Sequence, residues 1–304
     1  MGTGLAIGKG KLRAQHRAGS TSVARPFLKW AGGKAQLIDE IVKRLPLDDE
    51  PVRYVEPFLG GGAVFFWMRQ NLPYVPCRIA DRNAALVETY RVVRDSLDAL
   101  IAALRAHAQR HSPEHYYAVR RNQPADDVER AARFIYLNRT CYNGLWRVNR
   151  DGRFNVPLGR YDNPRILDEL NLRRVSGALQ GVEILCKDFE DAVYGCGPGD
   201  WIYFDPPYQP LSPTSRFTAY TPGGFDLDSQ RRLARVFELL NREGAFVILS
   251  NSDVEPVPRL YEKLVPRPVL DRVRVARSIN SKGDRRGVIN ELLIYSASGN
   301  RARP

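Results

Sequence analysis

The chain reads as an α/β protein: a mostly parallel sheet covered by helices, interrupted by a mainly helical segment. Three observations point there. Short apolar runs alternate with helix-period stretches up to residue 95, the alternation breaks between Ser96 and Gly181, and strands resume at Val182. Residues 1–24 are rich in Gly, Lys, Arg, Ser and Thr with no periodicity, the pattern of a flexible basic tail. Val52–Val55 is expected as a strand, Ala63–Gln70 as a helix, Cys77–Ala80 as a second strand and Ala84–Asp95 as a second helix. The interrupting segment carries helical stretches at Leu97–Ala108, His115–Asn122 and Asp127–Leu137, then a Gly/Asn-rich loop. Later strands are expected at Val182–Cys186, Trp201–Phe204, Ala245–Ser250, Val269–Val275 and Glu291–Tyr295, with a helix at Leu227–Arg242. From Ser298 the chain looks frayed. The division is therefore a tail (1–24), a sheet-bearing domain (25–95 with 182–297) and an insertion (96–181).

At 304 residues with 43% hydrophobic side chains, the chain is long enough for a sizeable core. Lys and Arg number 46 against 34 Asp and Glu, and the net charge of +12 favours a polyanionic partner, nucleic acid before acidic membrane. No apolar run reaches membrane-span length and no signal-peptide core follows Met1. The four cysteines, Cys77, Cys141, Cys186 and Cys196, form no CxxC pair and read as free thiols of a reducing cytoplasm. His107, His111 and His115 have helical spacing, but Pro113 breaks that helix and no further ligand has metal spacing, so they read as a solvated face and no metal is expected. The oligomeric state stays open, a monomer being compatible.

The most informative segment is Trp201-Ile-Tyr-Phe-Asp-Pro-Pro-Tyr208. An apolar strand ends at Asp205, and Pro206 and Pro207 cannot extend a hydrogen-bonded ladder. A carboxylate is thus held at the carboxyl end of a central strand, where open α/β sheets bind ligands, with the flat face of Tyr208 beside it. The arrangement suits gripping an exocyclic amino group on a planar ring and offering it to an electrophile; an ordinary strand end is the alternative.

Upstream, Glu56-Pro-Phe-Leu-Gly-Gly-Gly62 leaves the first strand and opens the first helix. Glycines there allow a sharp turn and close backbone approach to a ligand, so Glu56, Phe58 and Gly60 are candidate cofactor residues. Such turns serve nucleotides, flavins and S-adenosylmethionine alike, while the absence of a following Lys disfavours a phosphate-gripping loop. Asp81 stands where ribose hydroxyls are bound in doubly wound folds, or caps the next helix. Trp30 suits an adenine or methionyl chain, and Lys34 a cofactor carboxylate; a core Trp and a surface Lys are the alternatives. Asp188-Phe189 is another acid–aromatic pair at a strand end, suited to an adenine or to capping and core packing.

Together these motifs resemble the DNA adenine methyltransferase (Dam) family, α group. The likeness runs through Lys29-Trp-Ala-Gly-Gly-Lys34, Glu56–Gly62, Asp81, Leu137-Asn-Arg-Thr-Cys-Tyr-Asn-Gly-Leu-Trp-Arg147, Phe154-Asn-Val-Pro-Leu-Gly-Arg160, Asp205-Pro-Pro-Tyr208 and Phe217-Thr-Ala-Tyr220, in the family's order. It covers about Arg25 to Tyr295. It implies a Rossmann-like S-adenosylmethionine-dependent methyltransferase sheet with a DNA-recognition insertion. It also implies that Trp30, Lys34, Asp81 and Asp205 contact the cofactor, and that double-stranded DNA is the partner, with GATC as its target. Tyr142, Asn143, Leu145 and Arg147 match the family's DNA-recognition loop, Pro157 and Arg160 further DNA contacts, and Lys29 a base-contacting lysine. Thr140-Cys141 and Trp146 depart from the family pattern, which leaves the loop's packing open. Chemically, Tyr142 can wedge between bases, Arg147 has the fork for guanine O6 and N7, and Asn143 suits a base edge or a phosphate.

The expected mechanism places Asp205 and the Pro206 carbonyl as acceptors for the two adenine N6 hydrogens, with Tyr208 stacked on the extruded base and neither metal nor covalent intermediate. Two rivals are an RNA or protein-glutamine methyltransferase, against which the Tyr142–Arg160 insertion argues, and a binding protein without catalysis. Retention of Asp205, Tyr208, Lys34 and Asp81 argues against the second.

Overall fold

A computed structural model describes residues 23–30, 32–149, 151–208, 225–276 and 288–297. Residues 1–22, the Phe217–Tyr220 motif and the chain from Ser298 lie outside the described residues. A 3-10 turn at Lys34–Gln36 leads into the short helix α1 (Ile38–Val42) and then β1 (Arg53–Glu56). The Gly-rich turn opens α2 (Ala63–Asn71), followed by β2 (Cys77–Asp81) and α3 (Ala84–Asp95). Next come α4 (Leu97–Gln109), α5 (Pro113–Arg121), α6 (Asp127–Thr140) and α7 (Glu169–Leu179), before the sheet resumes with β3 (Glu183–Cys186). The remainder is α8 (Phe189–Ala192), β4 (Asp200–Phe204), α9 (Leu227–Arg242), β5 (Phe246–Ser252), α10 (Val257–Glu262), β6 (Val269–Ala276) and β7 (Val288–Tyr295).

The seven strands lie in the order β3-β2-β1-β4-β5-β7-β6, parallel throughout except that β7 runs antiparallel to both β5 and β6. From β1 the chain winds outward through β2 and β3, then returns beside β1 with β4 and winds the other way. The order reverses between β1 and β4, and ligands of open α/β sheets bind beyond the carboxyl ends of strands at such a point. Glu56 ends β1 and Asp205 follows β4, so the switch point brings two carboxylates together.

Alternation along the strands feeds two cores. Tyr54, Trp201 and Tyr203 join a cluster on one face with Phe65, Tyr90, Phe134, Tyr136 and Trp146, so helices of the 96–181 segment share a core with the sheet. Val55, Ile202 and Phe204 point to the other face, against Leu233 and Phe237 of α9. Caps set the helix starts: Asn83, Ser112, Asp126, Asp168 and Asp226 each accept a backbone N–H of the first turn. No described helix is long and apolar enough to cross a membrane.

The histidines depart from expectation. The chain turns between α4 and α5, and His107, His111 and His115 converge on Tyr136 instead of forming a solvated face. His107 is buried, with Nδ1 3.0 Å from His115 Nε2, and its ring stacks on Tyr136. Burial and the neighbouring His115 hold its pKa down at about 4. Among the described residues no group of three or more His, Cys, Asp or Glu is arranged to hold a metal ion.

Candidate active site

A cleft of about 400 Å³ opens at the carboxyl ends of β1, β2 and β4. Trp30, Lys34, Glu56, Phe58, Gly60, Asp81, Asp205, Pro206 and Tyr208 all line it. One wall is the turn after β1. Gly60 and Gly62 have φ of +47° and +69°, which only glycine adopts cheaply, and a Cβ on Gly60 would stand 2.8 Å from the Trp30 ring. Asp81 Oδ2 accepts the Gly60 N–H at 3.1 Å, and Oδ1 the Asn83 N–H at 2.9 Å. Asp81 is therefore not the helix cap; Asn83 caps α3, leaving Asp81 to brace the turn from the end of β2. Burial raises the Asp81 carboxyl above its usual range, against these backbone hydrogen bonds.

The opposite wall holds the ionisable groups. Lys34, only 5% exposed, places Nζ 2.9 Å from Asp205 Oδ1, donates to the Gly32 carbonyl at 2.8 Å, and sits 4.4 Å from the Tyr208 ring centroid. Ser250, two residues before the end of β5, also donates to Asp205 Oδ1 at 3.0 Å, and its Oγ lies 2.9 Å from the Tyr203 hydroxyl. Both partners act on Oδ1, and among the described residues Oδ2 accepts no hydrogen bond. Burial raises the Asp205 pKa; the Lys34 charge and the Ser250 hydrogen bond pull it back.

Two further carboxylates crowd this wall. Glu56 is buried and accepts the Tyr54 hydroxyl at 2.6 Å, yet burial pushes its pKa to about 8, with Asp205 adding to the rise. Glu291 of β7 is buried too, raised by burial and restrained by Lys34. The Glu291 carboxyl and the Tyr208 hydroxyl are near enough to influence each other's protonation, but among the described residues neither Glu291 Oε2 nor the Tyr208 hydroxyl has a partner in hydrogen-bond geometry.

Glu56 therefore keeps its proton at neutral pH. Its folded-state pKa exceeds its ordinary value of 4.5, so its contribution to stability is complete below 4.5 and is lost as pH climbs through about 8. Wild-type protein should lose thermal stability between about pH 6 and 9 more steeply than Glu56→Gln, whose amide cannot ionise. Parallel melting curves for the two proteins over that range would show Glu56 to be ionised already.

Asp188 and Phe189 lie outside the lining of the cleft. Asp188 caps α8 and is held by Arg232, with Arg82 Nη1 at 3.7 Å. Phe189 is buried with its ring stacked on Phe58 at 5.4 Å, so it supports the cleft wall from behind. The capping and core alternatives describe this pair in the structure.

The loop residues form a separate patch after α6. Backbone bonds Tyr142 N to Pro157 O (2.9 Å), Gly159 N to Thr140 O (2.8 Å) and Asn155 N to Arg147 O (3.1 Å) fold residues 140–160 into an irregular hairpin. Tyr142 is 40% exposed at the base of this hairpin, and Asn143 has φ of +53°. Arg147 Nε donates to Asn155 Oδ1 at 2.8 Å, Leu145 is half-buried and Arg160 exposed. Lys29 Nζ lies 3.7 Å from the Tyr161 ring centroid. Trp146 is buried between Phe134 (3.7 Å between centroids) and Phe154 (4.7 Å) and anchors the loop.

Residues 30–276 match the family model of the D12 class N6 adenine-specific DNA methyltransferases. The chain belongs to that family. It is 44% identical over 289 residues to the type II methyltransferase M.MjaIII of Methanocaldococcus jannaschii, covering 90% of this chain and 99% of that protein. It is also 40% identical over 278 residues to the type II methyltransferase M1.LlaDCHI of Lactococcus lactis subsp. cremoris, covering 89% and 94%. With the DNA adenine methylase of Escherichia coli K12 it shares 38% identity over 279 residues, covering 90% and 96%. The protein is thus an adenine-specific DNA methyltransferase, and its Rossmann-like sheet is the scaffold on which the cleft is built. Ser250 and Glu291 were not singled out from the sequence. A polar pair, Asn290-Glu291, within the otherwise apolar Val288–Tyr295 run was the available signal.

Proposed function

We propose that this methyltransferase transfers a methyl group from S-adenosylmethionine to N6 of an adenine extruded from duplex DNA, within GATC. The observation that carries the reading is the position of Asp205: it lines the cleft, and its Oδ1 is fixed by Lys34 and Ser250 while Oδ2 accepts no hydrogen bond among the described residues. The cleft suits the cofactor, with apolar Trp30, Leu28 and Phe58 on its walls, Asp81 at one end, and a glycine cradle that a Cβ would fill. When bound there, S-adenosylmethionine supplies an electrophilic sulfonium methyl group.

The protein's own groups do the positioning. Asp205 and the Pro206 carbonyl accept the two N6 hydrogens, drawing the nitrogen lone pair out of conjugation with the ring. Tyr208 gives the extruded base a stacking surface. Alignment and fixed charges lower the barrier, since a rigid acceptor needs no reorganisation at the moment of transfer. Residues 96–181 serve as the recognition insertion of a catalytic domain formed by 25–95 and 182–297. Tyr142 wedges into the duplex; Arg147 and Lys29 read bases; Asn143, Leu145, Pro157 and Arg160 shape the contact surface. The free thiols, three of them buried, fit action in the cytoplasm. Transfer of labelled methyl groups to GATC duplexes but not to GATC-free duplexes is expected; equal labelling of both would remove the target assignment.

Two further results are expected. Asp81→Ala should weaken cofactor binding by about 1.5–3 kcal/mol, the worth of a charged hydrogen bond, and by more if the Gly60 turn relaxes. Unchanged affinity by calorimetry in a folded variant would take Asp81 out of the site. Duplex affinity should fall with salt at a log–log slope near −5, given about six phosphate contacts. A flat response would mean that the +12 charge is not directed at DNA.

A further inference from the structure

Asn138 has no part in the chemistry above, yet it is fully buried in the last turn of α6. A buried amide must meet its hydrogen bonds, and those of Asn138 reach across the chain. Oδ1 accepts the Lys29 N–H at 2.8 Å, while Nδ2 donates to the Lys29 carbonyl at 2.7 Å and to the Gly144 carbonyl at 3.2 Å. The side chain thus pairs with both backbone groups of Lys29, as a neighbouring strand would, and with the recognition loop at once. Gly144 completes the joint: it has φ of +64°, and a Cβ there would stand 2.4 Å from Lys29 Cβ.

The same N-terminal segment is held a second time. Asn171 Oδ1 accepts the Arg25 N–H at 3.1 Å, and Nδ2 donates to the Arg25 carbonyl at 3.0 Å. Arg25–Lys29 is therefore strapped at both ends by buried asparagines, but only the Asn138 strap includes the recognition loop.

We infer that Asn138 is a specificity-positioning residue: its amide fixes the Lys29 backbone against the 142–147 loop, so that Lys29 and Arg147 meet the duplex as one rigid unit. The inference rests on the base-reading roles proposed for Lys29 and Arg147. Bidentate base recognition is sharply directional, so a shift between the two residues should degrade both readings together. A merely structural amide would lower stability and slow every sequence alike.

The test uses a pool of duplexes with randomised bases around one adenine, methylated by each variant of the full chain and sequenced for the modified fraction. Lys29→Ala should relax one base position and Arg147→Ala another. Asn138→Ala should relax both of those positions together, by about fivefold or more at each. Should Asn138→Ala fail to fold, Gly144→Ala keeps the amide but forces Lys29 off the loop, and it should give the same double signature. Uniform slowing across all sequences by Asn138→Ala and Gly144→Ala, with preferences unchanged, would overturn the inference alone. If neither Lys29→Ala nor Arg147→Ala relaxes any position, the recognition reading itself fails and this inference falls with it.

Discussion

Replacing Asp205 by alanine is expected to abolish methyl transfer while leaving duplex binding largely intact. The carboxylate lines the cleft, and among the described residues no member of the 140–160 hairpin shares that lining, so its loss should not disturb the surface offered to DNA. What disappears is a pre-aligned acceptor whose orientation Ser250 and Lys34 fix through Oδ1. Removing one preorganised electrostatic group of this kind costs about 10²–10³ in rate, and more where that group is the principal acceptor. Asp205→Asn is the sharper control, because it keeps the shape but can turn an N–H₂ donor toward the N6 hydrogens. Tyr208→Ala leaves the acceptor and removes a stacking face worth about 1–3 kcal/mol per base, so its rate loss should be smaller. Its signature should be a weaker 2-aminopurine fluorescence change at the target base. Near-normal turnover by Asp205→Ala on GATC duplexes would refute the assignment, as would a Tyr208→Ala variant with both the fluorescence change and the rate untouched.

Most of the sheet was legible because its signals are local. Trp201–Phe204 could hardly be anything but a buried strand, and Asp205-Pro-Pro could only end it. The Gly-rich turn and Asp81 were legible as a pair, and the structure joins them through one hydrogen bond, Gly60 N to Asp81 Oδ2. What sequence reasoning missed is what depends on distant pairing. The role of Ser250 requires β5 to lie beside β4, and the place of Glu291 near Lys34 requires β7 to insert between β5 and β6. The histidines failed for a similar reason: their spacing suggests one helix face, but Pro113 starts a new helix that folds His115 back onto His107. Asp188-Phe189 satisfies its pattern locally, Asp188 capping α8 and Phe189 stacking on Phe58 of the cleft wall. Helix α7 was passed over within the loop-rich end of the insertion, although Asp168 caps it and Leu172, Val175 and Leu179 recur at helical spacing.

Lys34→Met should cost nearly as much activity as the loss of Asp205, and for an electrostatic reason. The resemblance points to a cofactor contact, and Lys34 lines the cleft; its ammonium also lies on Asp205, on the Gly32 carbonyl and over the Tyr208 ring. Methionine preserves most of the packing of the stem but removes the cation that serves Asp205 and restrains Glu291. A buried carboxylate deprived of its counter-charge takes up a proton instead of remaining ionised. Burial already raises the Asp205 pKa, and without Lys34 it should rise further. A protonated Asp205 is a poor acceptor for the N6 hydrogens. Wild-type activity should therefore fall as pH drops through a midpoint above the usual carboxylate range, and in Lys34→Met that limb should move to higher pH. At neutral pH the expected loss in kcat is about 10²-fold, partly recovered as the pH is raised. The split between constants separates this account from the cofactor-contact reading. A direct cofactor ligand would raise the dissociation constant for S-adenosylmethionine and leave the acid limb where it was. If calorimetry shows weakened cofactor binding and the pH–rate profile of Lys34→Met overlies that of the wild type, Lys34 holds the cofactor and is not the counter-ion on which Asp205 depends.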